Sequence, residues 1–244
     1  MKMIFDEPFF YDYCVKESDC DKSGNMRLSA FQSCMLESAT GQCRLVERDI
    51  DSLLKIGLTW VISKIKIHFY RFPKLGDKLR IFTWPIESGK FAFDRDFRVE
   101  LESGKKVAEA SSRWCVINYI SRRPVSKETI EFPESTVKSV LFEDAFRPVV
   151  EPTSYLGESE HVVLKDEIDV NKHLNNTKYF DIAADAIKNR VGDFGLPKNI
   201  SVHFVKEIRL GEKLRLFVGK NGNNFVVKGL NDNGHVVFLF DYCL

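Results

Sequence analysis

The sequence predicts an α+β fold made twice, each half a long helix wrapped by an antiparallel β-sheet. Three observations carry this. Residues 75–82 (LGDKLRIF) and 210–217 (LGEKLRLF) share six of eight positions, and a His-Phe pair, His68-Phe69 or His203-Phe204, stands seven residues before each copy. Both halves then run in the same order, from a polar turn to a helix to a series of extended segments. Finally, the strands follow the helix instead of alternating with further helices, which argues against a doubly wound sheet.

The polar turns are residues 19–25 (DCDKSGN) and 169–175 (DVNKHLN), and the helices span about residues 29–48 and 177–190. In the second helix Tyr179, Ala183, Ala186 and Ile187 fall on one stripe at helical spacing, and the two alanines let a sheet approach closely. Residues 60–72, 77–86, 90–102 and 106–119 read as strands, as do 200–208, 213–220, 224–230 and 235–243. They alternate or are β-branched and aromatic, and Ser-Gly or Asn-Gly turns separate them. The division expected is an N-terminal domain over residues 1–130, a Pro-, Ser- and charge-rich linker over 131–155, and a C-terminal domain over 156–244.

Composition excludes several function classes. With 36 Lys+Arg against 35 Asp+Glu the net charge is +1, so no global field favours nucleic acid. The six cysteines show neither CxxC pairing nor metal-ligand spacing, which predicts reduced thiols and no metal. No run approaches the roughly 20 apolar residues of a membrane span. The start of the chain has neither the basic end nor the apolar stretch of a signal peptide. A soluble, cytoplasmic protein without membrane contact is expected.

The two turns differ where chemistry would sit. Setting Asp19 against Asp169 places Asp21 opposite Asn171, Ser23 opposite His173 and Asn25 opposite Asn175, and the His-Phe alignment places Phe72 opposite Glu207. Acid–base groups in one copy alone predict a single active site in the second half, with the first half free to shape a binding cavity. His173 titrates near neutrality when unperturbed, at a pKa of about 6.5. Asn171 offers an amide donor, and Asp169 is placed to hold the imidazole in one tautomer. Period-2 alternation over residues 200–208 groups Ser201, His203, Val205 and Glu207 on one strand face, from which Glu207 would meet the turn as a base. Asp, Asn and His of this kind are also ordinary turn and helix-cap residues, so spacing leaves both readings open.

The segment DVNKHLNNTKYFDIAADAI (residues 169–187) resembles the catalytic segment of the plant and bacterial acyl-ACP thioesterases, of form D-x-N-x-H-x-N-N-x-x-Y. TWPIESGKFAFDRD (residues 83–96) resembles that family's TW…SGK…RRD segment through Ser88-Gly89-Lys90 and Arg95-Asp96. ASSRWCVINYISRRPVSK (residues 110–127) resembles its A-S-x-W…RR-x-SK segment through Trp114, Arg122, Arg123, Ser126 and Lys127. The resemblance implies a tandem double hot-dog fold that hydrolyses acyl thioesters of acyl carrier protein with water. It implies no cofactor. The family's proposed catalytic residues fall on Asp169, Asn171, His173 and Glu207. The cysteine that follows that glutamate in the family, once proposed as a nucleophile, is Ile208 here, which excludes that route.

Glu207 is then expected as general base on water with help from His173. Donors for the oxyanion and substrate are expected at Asn175 and Asn176 at the helix start and at Trp84. Acyl carrier protein is the implied partner. Candidate basic contacts for it are Arg122, Arg123, Lys188, Arg190 and Lys198. A homodimer is compatible with this reading. The alternatives are an acyl-CoA thioesterase of the same fold and a non-catalytic acyl-binding module.

Overall fold

The computed structural model describes residues 4–244. In chain order its elements are β1 (Ile4–Phe5), β2 (Phe9–Cys14), α1 (Leu28–Arg44), α2 (Ile50–Leu54), β3 (Leu58–Phe69), β4 (Lys78–Ile86), β5 (Phe93–Leu101), β6 (Lys106–Asn118), β7 (Pro124–Val125), β8 (Glu134–Ser135), β9 (Tyr155–Val162), α3 (Lys178–Val191), β10 (Asn199–Phe204), β11 (Lys213–Asn221), β12 (Asn224–Asn231) and β13 (Val236–Cys243).

The repeat seen in sequence becomes a pseudo-two-fold in space. One eleven-stranded sheet runs β2-β4-β5-β6-β3-β10-β13-β12-β11-β9, with β7 added on β6. Its second half is the first in reverse. The axis passes between β3 and β10, whose antiparallel register is itself symmetric, with His68 opposite Asn199 and His203 opposite Lys64. Both halves also break their inner strand in the same way. The N–H groups of Tyr70 and Arg71 both donate to Val107 O, and those of Val205 and Lys206 both donate to Val237 O.

Each helix buries one face against the sheet. α3 buries Tyr179, Phe180, Ile182, Ala183, Ala186 and Ile187, at roughly 1.5–3 kcal/mol for each large apolar side chain. α1 buries Leu28, Phe31, Cys34 and Met35 in the same continuous core. The two helices touch, and Asp181 of α3 accepts from the N–H (3.1 Å) and hydroxyl of Ser29, so one half caps the other's helix.

Several sequence expectations need correction. α1 starts at Leu28 and stops at Arg44, short of the expected end near residue 48, and a separate short helix, α2, follows beyond it. The edge strands β2 and β9 were missed, because a strand paired on one side needs little apolar alternation. Residues 131–155 are not a free tether. Ser139 O accepts from Trp84 Nε1 (2.9 Å), the Leu141 N–H donates to Asp96 (2.8 Å) and Asp144 pairs with Lys66 (2.9 Å), so this segment covers the outer face of the first-half sheet.

Candidate active site

The DVNKHLN turn is organised by its first residue. Asp169 Oδ1 accepts from the backbone N–H of Asn171 (2.8 Å) and of His173 (3.2 Å), while the Asp169 N–H donates to His173 O (2.9 Å). Asp169 therefore holds the backbone of the turn, and the imidazole it was expected to orient points to Glu207 instead. Lys172 occupies φ +63° within this turn, a left-handed conformation that costs an L-residue roughly 1–2 kcal/mol.

These bonds also correct the alignment of the halves. In the first turn it is Asp21 whose Oδ1 accepts from the N–H of Ser23 (2.8 Å) and Asn25 (2.9 Å), with Gly24 at φ +76°. Asp21 is thus the counterpart of Asp169, Ser23 of Asn171 and Asn25 of His173. Asp19, which was set against Asp169, matches Glu167: each carboxylate caps a 3₁₀ turn, accepting from the N–H of Lys16 and Leu164 respectively. The pairing of Phe72 with Glu207 stands, since Pro73 O and Ile208 O accept from the matching N–H groups of Met26 and Leu174.

Glu207 reaches the turn from a loop, not a strand face. β10 ends at Phe204 and the double donation to Val237 breaks the alternation, leaving Val205, Lys206 and Glu207 exposed before buried Ile208. Glu207 Oε2 lies 3.3 Å from His173 Nε2. Its Oε1 is paired with the Arg122 guanidinium, from the loop after β6. His173 is mostly buried, and its pKa is lowered first by that burial and then by the nearby charge of Arg122. A neutral imidazole beside a carboxylate is an arrangement that can take a proton from water and return it to a leaving group.

The amides are held by the other half. Thr59 Oγ1 on β3 donates to Asn171 Oδ1 (3.3 Å), and Gln32 Nε2 on α1 donates to Asn176 Oδ1 (3.3 Å). With both oxygens engaged, the NH₂ groups of Asn171 and Asn176 make no hydrogen bond among the described residues. Asn175 does not serve this way, because its N–H donates to Glu167 O (2.8 Å) and its side chain accepts twice from Thr177. Among the described residues the Asn176 N–H has no acceptor, so the oxyanion donors expected at the helix start narrow to Asn176.

A cavity of about 1520 Å³ connects this cluster to the first half. Asp169, Asn171, His173, Asn176, Glu207 and Arg122 line one part of it. Leu36, Ile62, Phe93 and Trp114 line another, and Arg95 and Cys43 also face it. Burial pushes the Cys43 thiol pKa up, which disfavours its thiolate form. Among the described residues no group of three or more His, Cys, Asp or Glu side chains could hold a metal ion.

The remaining predicted positions separate. Trp84 is 1% exposed beneath the 131–155 segment and does not line the cavity. Arg122 lines the cavity and, like its neighbour Arg123, is exposed. Lys188 pairs with Asp193 (3.3 Å), and Arg190 donates to Glu158 O (3.0 Å). Both lie in the last turn of α3, roughly 15 Å or more from its start at 1.5 Å per residue. Lys198 is exposed just before β10, its N–H donating to Cys243 O. Neither Arg190, Lys188 nor Lys198 lines the cavity. Arg122, Thr59 and Gln32 are the site residues that reading the second half alone missed, since all three come from the first.

The profile of the acyl-ACP thioesterase N-terminal domain matches residues 6–131 and that of the C-terminal domain matches residues 153–233. A chloroplastic acyl-[acyl-carrier-protein] hydrolase of Cuphea viscosissima is 34% identical over 138 residues, covering 52% of this chain and 32% of the relative. A chloroplastic oleoyl-acyl carrier protein thioesterase of Arabidopsis thaliana is 24% identical over 202 residues, covering 75% of this chain and 53% of the relative. The match thus spans about a third to a half of these curated relatives. In fold, the chain is similar to the crystal structure of an acyl-ACP thioesterase from Bacteroides thetaiotaomicron, with TM-score 0.84, 21% identity and 96% of each chain covered. It is also similar to the 12:0-ACP thioesterase from Umbellularia californica, with TM-score 0.82, 16% identity, and 97% of this chain and 96% of that one covered. The fold is the tandem double hot-dog, and the chain belongs to the acyl-ACP thioesterase family.

Proposed function

We propose that this chain hydrolyses the thioester between a fatty acyl group and acyl carrier protein, releasing free fatty acid. Glu207 takes a proton from water and the resulting hydroxide attacks the thioester carbon. Asn176, through its free N–H, and the amide of Asn171 hold the developing oxyanion. When the C–S bond breaks, the proton held by the Glu207–His173 pair passes to the leaving sulfur. Asp169 holds the turn that carries Asn171 and His173. The observation that carries this reading is the Glu207–His173 pair, 3.3 Å apart, opening on a cavity of about 1520 Å³ most of whose apolar lining comes from the first half.

In this reading residues 1–130 and 156–244 are the two domains, the first supplying the acyl cavity and the second most of the catalytic groups, joined by residues 131–155. Acyl carrier protein would dock at the cavity mouth near exposed Arg123. The reaction needs no cofactor, and we place it in the cytoplasm. The plant relatives are named chloroplastic, and among the described residues no helix is long and apolar enough to cross a membrane.

The test supplies purified chain with a series of acyl chains, each loaded on acyl carrier protein and on coenzyme A, and measures free fatty acid. Release from the carrier-protein substrates at higher kcat/KM supports the reading. Equal or better use of the coenzyme A series moves the chain to acyl-CoA hydrolysis. Tight acyl binding without release makes it a binding module.

A further inference from the structure

The loop after β6 is built to deliver one guanidinium to Glu207. We propose that Arg122 is a positioning residue that clamps Glu207 against His173, making a first-half loop part of the second half's active site. The inference rests on the functional reading above.

Two independent features support it. The Glu207 carboxylate is held from both sides, Oε1 by Arg122 and Oε2 by His173 Nε2 at 3.3 Å. On an otherwise exposed loop side chain, that double contact fixes which oxygen faces the imidazole. The second feature is backbone strain. Arg122 sits at φ +57°, a left-handed conformation that a non-glycine residue keeps only when its surroundings over-determine it. Those surroundings are present. Asn118 Oδ1 accepts from the N–H of Ile120 (3.1 Å) and Ser121 (2.8 Å). Asn118 O accepts from the Arg122 N–H (2.9 Å), and the Asn118 N–H donates to Arg123 O (2.9 Å). Strain of this kind collects where a loop must aim a side chain, and here it aims Arg122 into the cavity.

The clamp carries an electrostatic consequence. The charged groups facing His173 are Glu207 after β10, Arg122 after β6, Asp169 in its own turn, and Arg209 and Glu212 in the turn before β11. Of the two cations Arg122 weighs more in keeping the imidazole neutral, after burial itself.

The experiment compares wild type, Arg122→Met and Arg122→Lys in the full chain on one acyl-carrier-protein substrate, across pH and at two salt concentrations. The clamp predicts that Arg122→Met lowers kcat about tenfold to a hundredfold, below the roughly 10²–10⁴-fold that a positioned base itself supplies. KM should change by no more than a few-fold, and the acid limb of the kcat profile should move to higher pH. Arg122→Lys should recover part of kcat, since it restores the charge without the fork. A loss confined to KM that added salt diminishes would make Arg122 a carrier contact and overturn the clamp, as would unchanged kcat in a folded Met variant. The His173 ring titration, followed by NMR without substrate, gives a second decision. It should move up in Arg122→Met, or in Arg122→Gln if the Met variant does not fold, and a stationary titration overturns the clamp. If wild type shows no turnover, the functional reading fails, and the NMR titration still decides the clamp.

Discussion

Replacing Glu207 by Gln removes a base while keeping its shape. The amide oxygen can still accept from Arg122, and the NH₂ then stands 3.3 Å from His173 Nε2 where Oε2 was. What disappears is the capacity to take a proton from water. A positioned base contributes about 10²–10⁴-fold, which at 1.36 kcal/mol per tenfold is about 2.7–5.4 kcal/mol of transition-state stabilisation. Folding stability should hardly change. Glu207 and Arg122 are 37% and 36% exposed, and the loss of so solvated an ion pair costs about 0–1 kcal/mol. The assay is single-turnover release of fatty acid from a saturating acyl-carrier-protein substrate, so that chemistry and not product release is timed. Acyl binding and the unfolding midpoint serve as controls. A variant that folds, binds and turns over within a few-fold of wild type would remove Glu207 from the mechanism. The first half shows the site without this group, since Phe72 stands at the matching position and packs its ring 4.8 Å from Phe69.

Three further outcomes follow from the geometry. Asp169→Asn should keep most activity because its Oδ1 still accepts from the N–H groups of Asn171 and His173, whereas Asp169→Ala should lose at least tenfold in kcat; equal losses would show that the charge matters, not the turn. His173→Ala should cut kcat about 10²-fold or more while Asn25→Ala, its first-half counterpart, changes kcat little; similar losses measured on one substrate would end the assignment of acid–base work to the second half. Asp96, fully buried, is pushed up by burial to a pKa of about 6, against roughly 3.9 unfolded. Its contribution to stability is present below the unfolded value and lost as pH rises through about 6. Asp96→Asn should therefore gain stability relative to wild type between acid and neutral pH, by at most about 2–3 kcal/mol. A denaturant-measured difference that does not change over that range refutes it.

The sequence by itself determined the duplication, the fold class and the chemical character of the turn at residues 169–175. Local patterns suffice for these. An eight-residue repeat with matched spacing survives any change of surroundings, period-2 and period-3.6 patterns mark burial, and Asp-x-Asn-x-His is a set of residue types. The family motifs were likewise contiguous. Geometry across the chain was not legible. The turn alignment slipped by two residues because Asp19 and Asp21 look alike in sequence, and only the N–H groups they satisfy distinguish a 3₁₀ cap from a turn former. Glu207 seemed to lie on a strand face because a double hydrogen bond to Val237, more than thirty positions away, ends the alternation. Trp84 looked like a substrate contact because nothing local says that residues 131–155 fold over it. That Arg122 pairs with Glu207 was hidden for the same reason. Its partner is 85 positions further along the chain (207 − 122), and their meeting depends on β3 pairing with β10. Periodicity reports what one segment buries, whereas a site assembled from Gln32, Thr59 and Arg122 of one half and Asn171, His173, Asn176 and Glu207 of the other exists only once that shared sheet has formed.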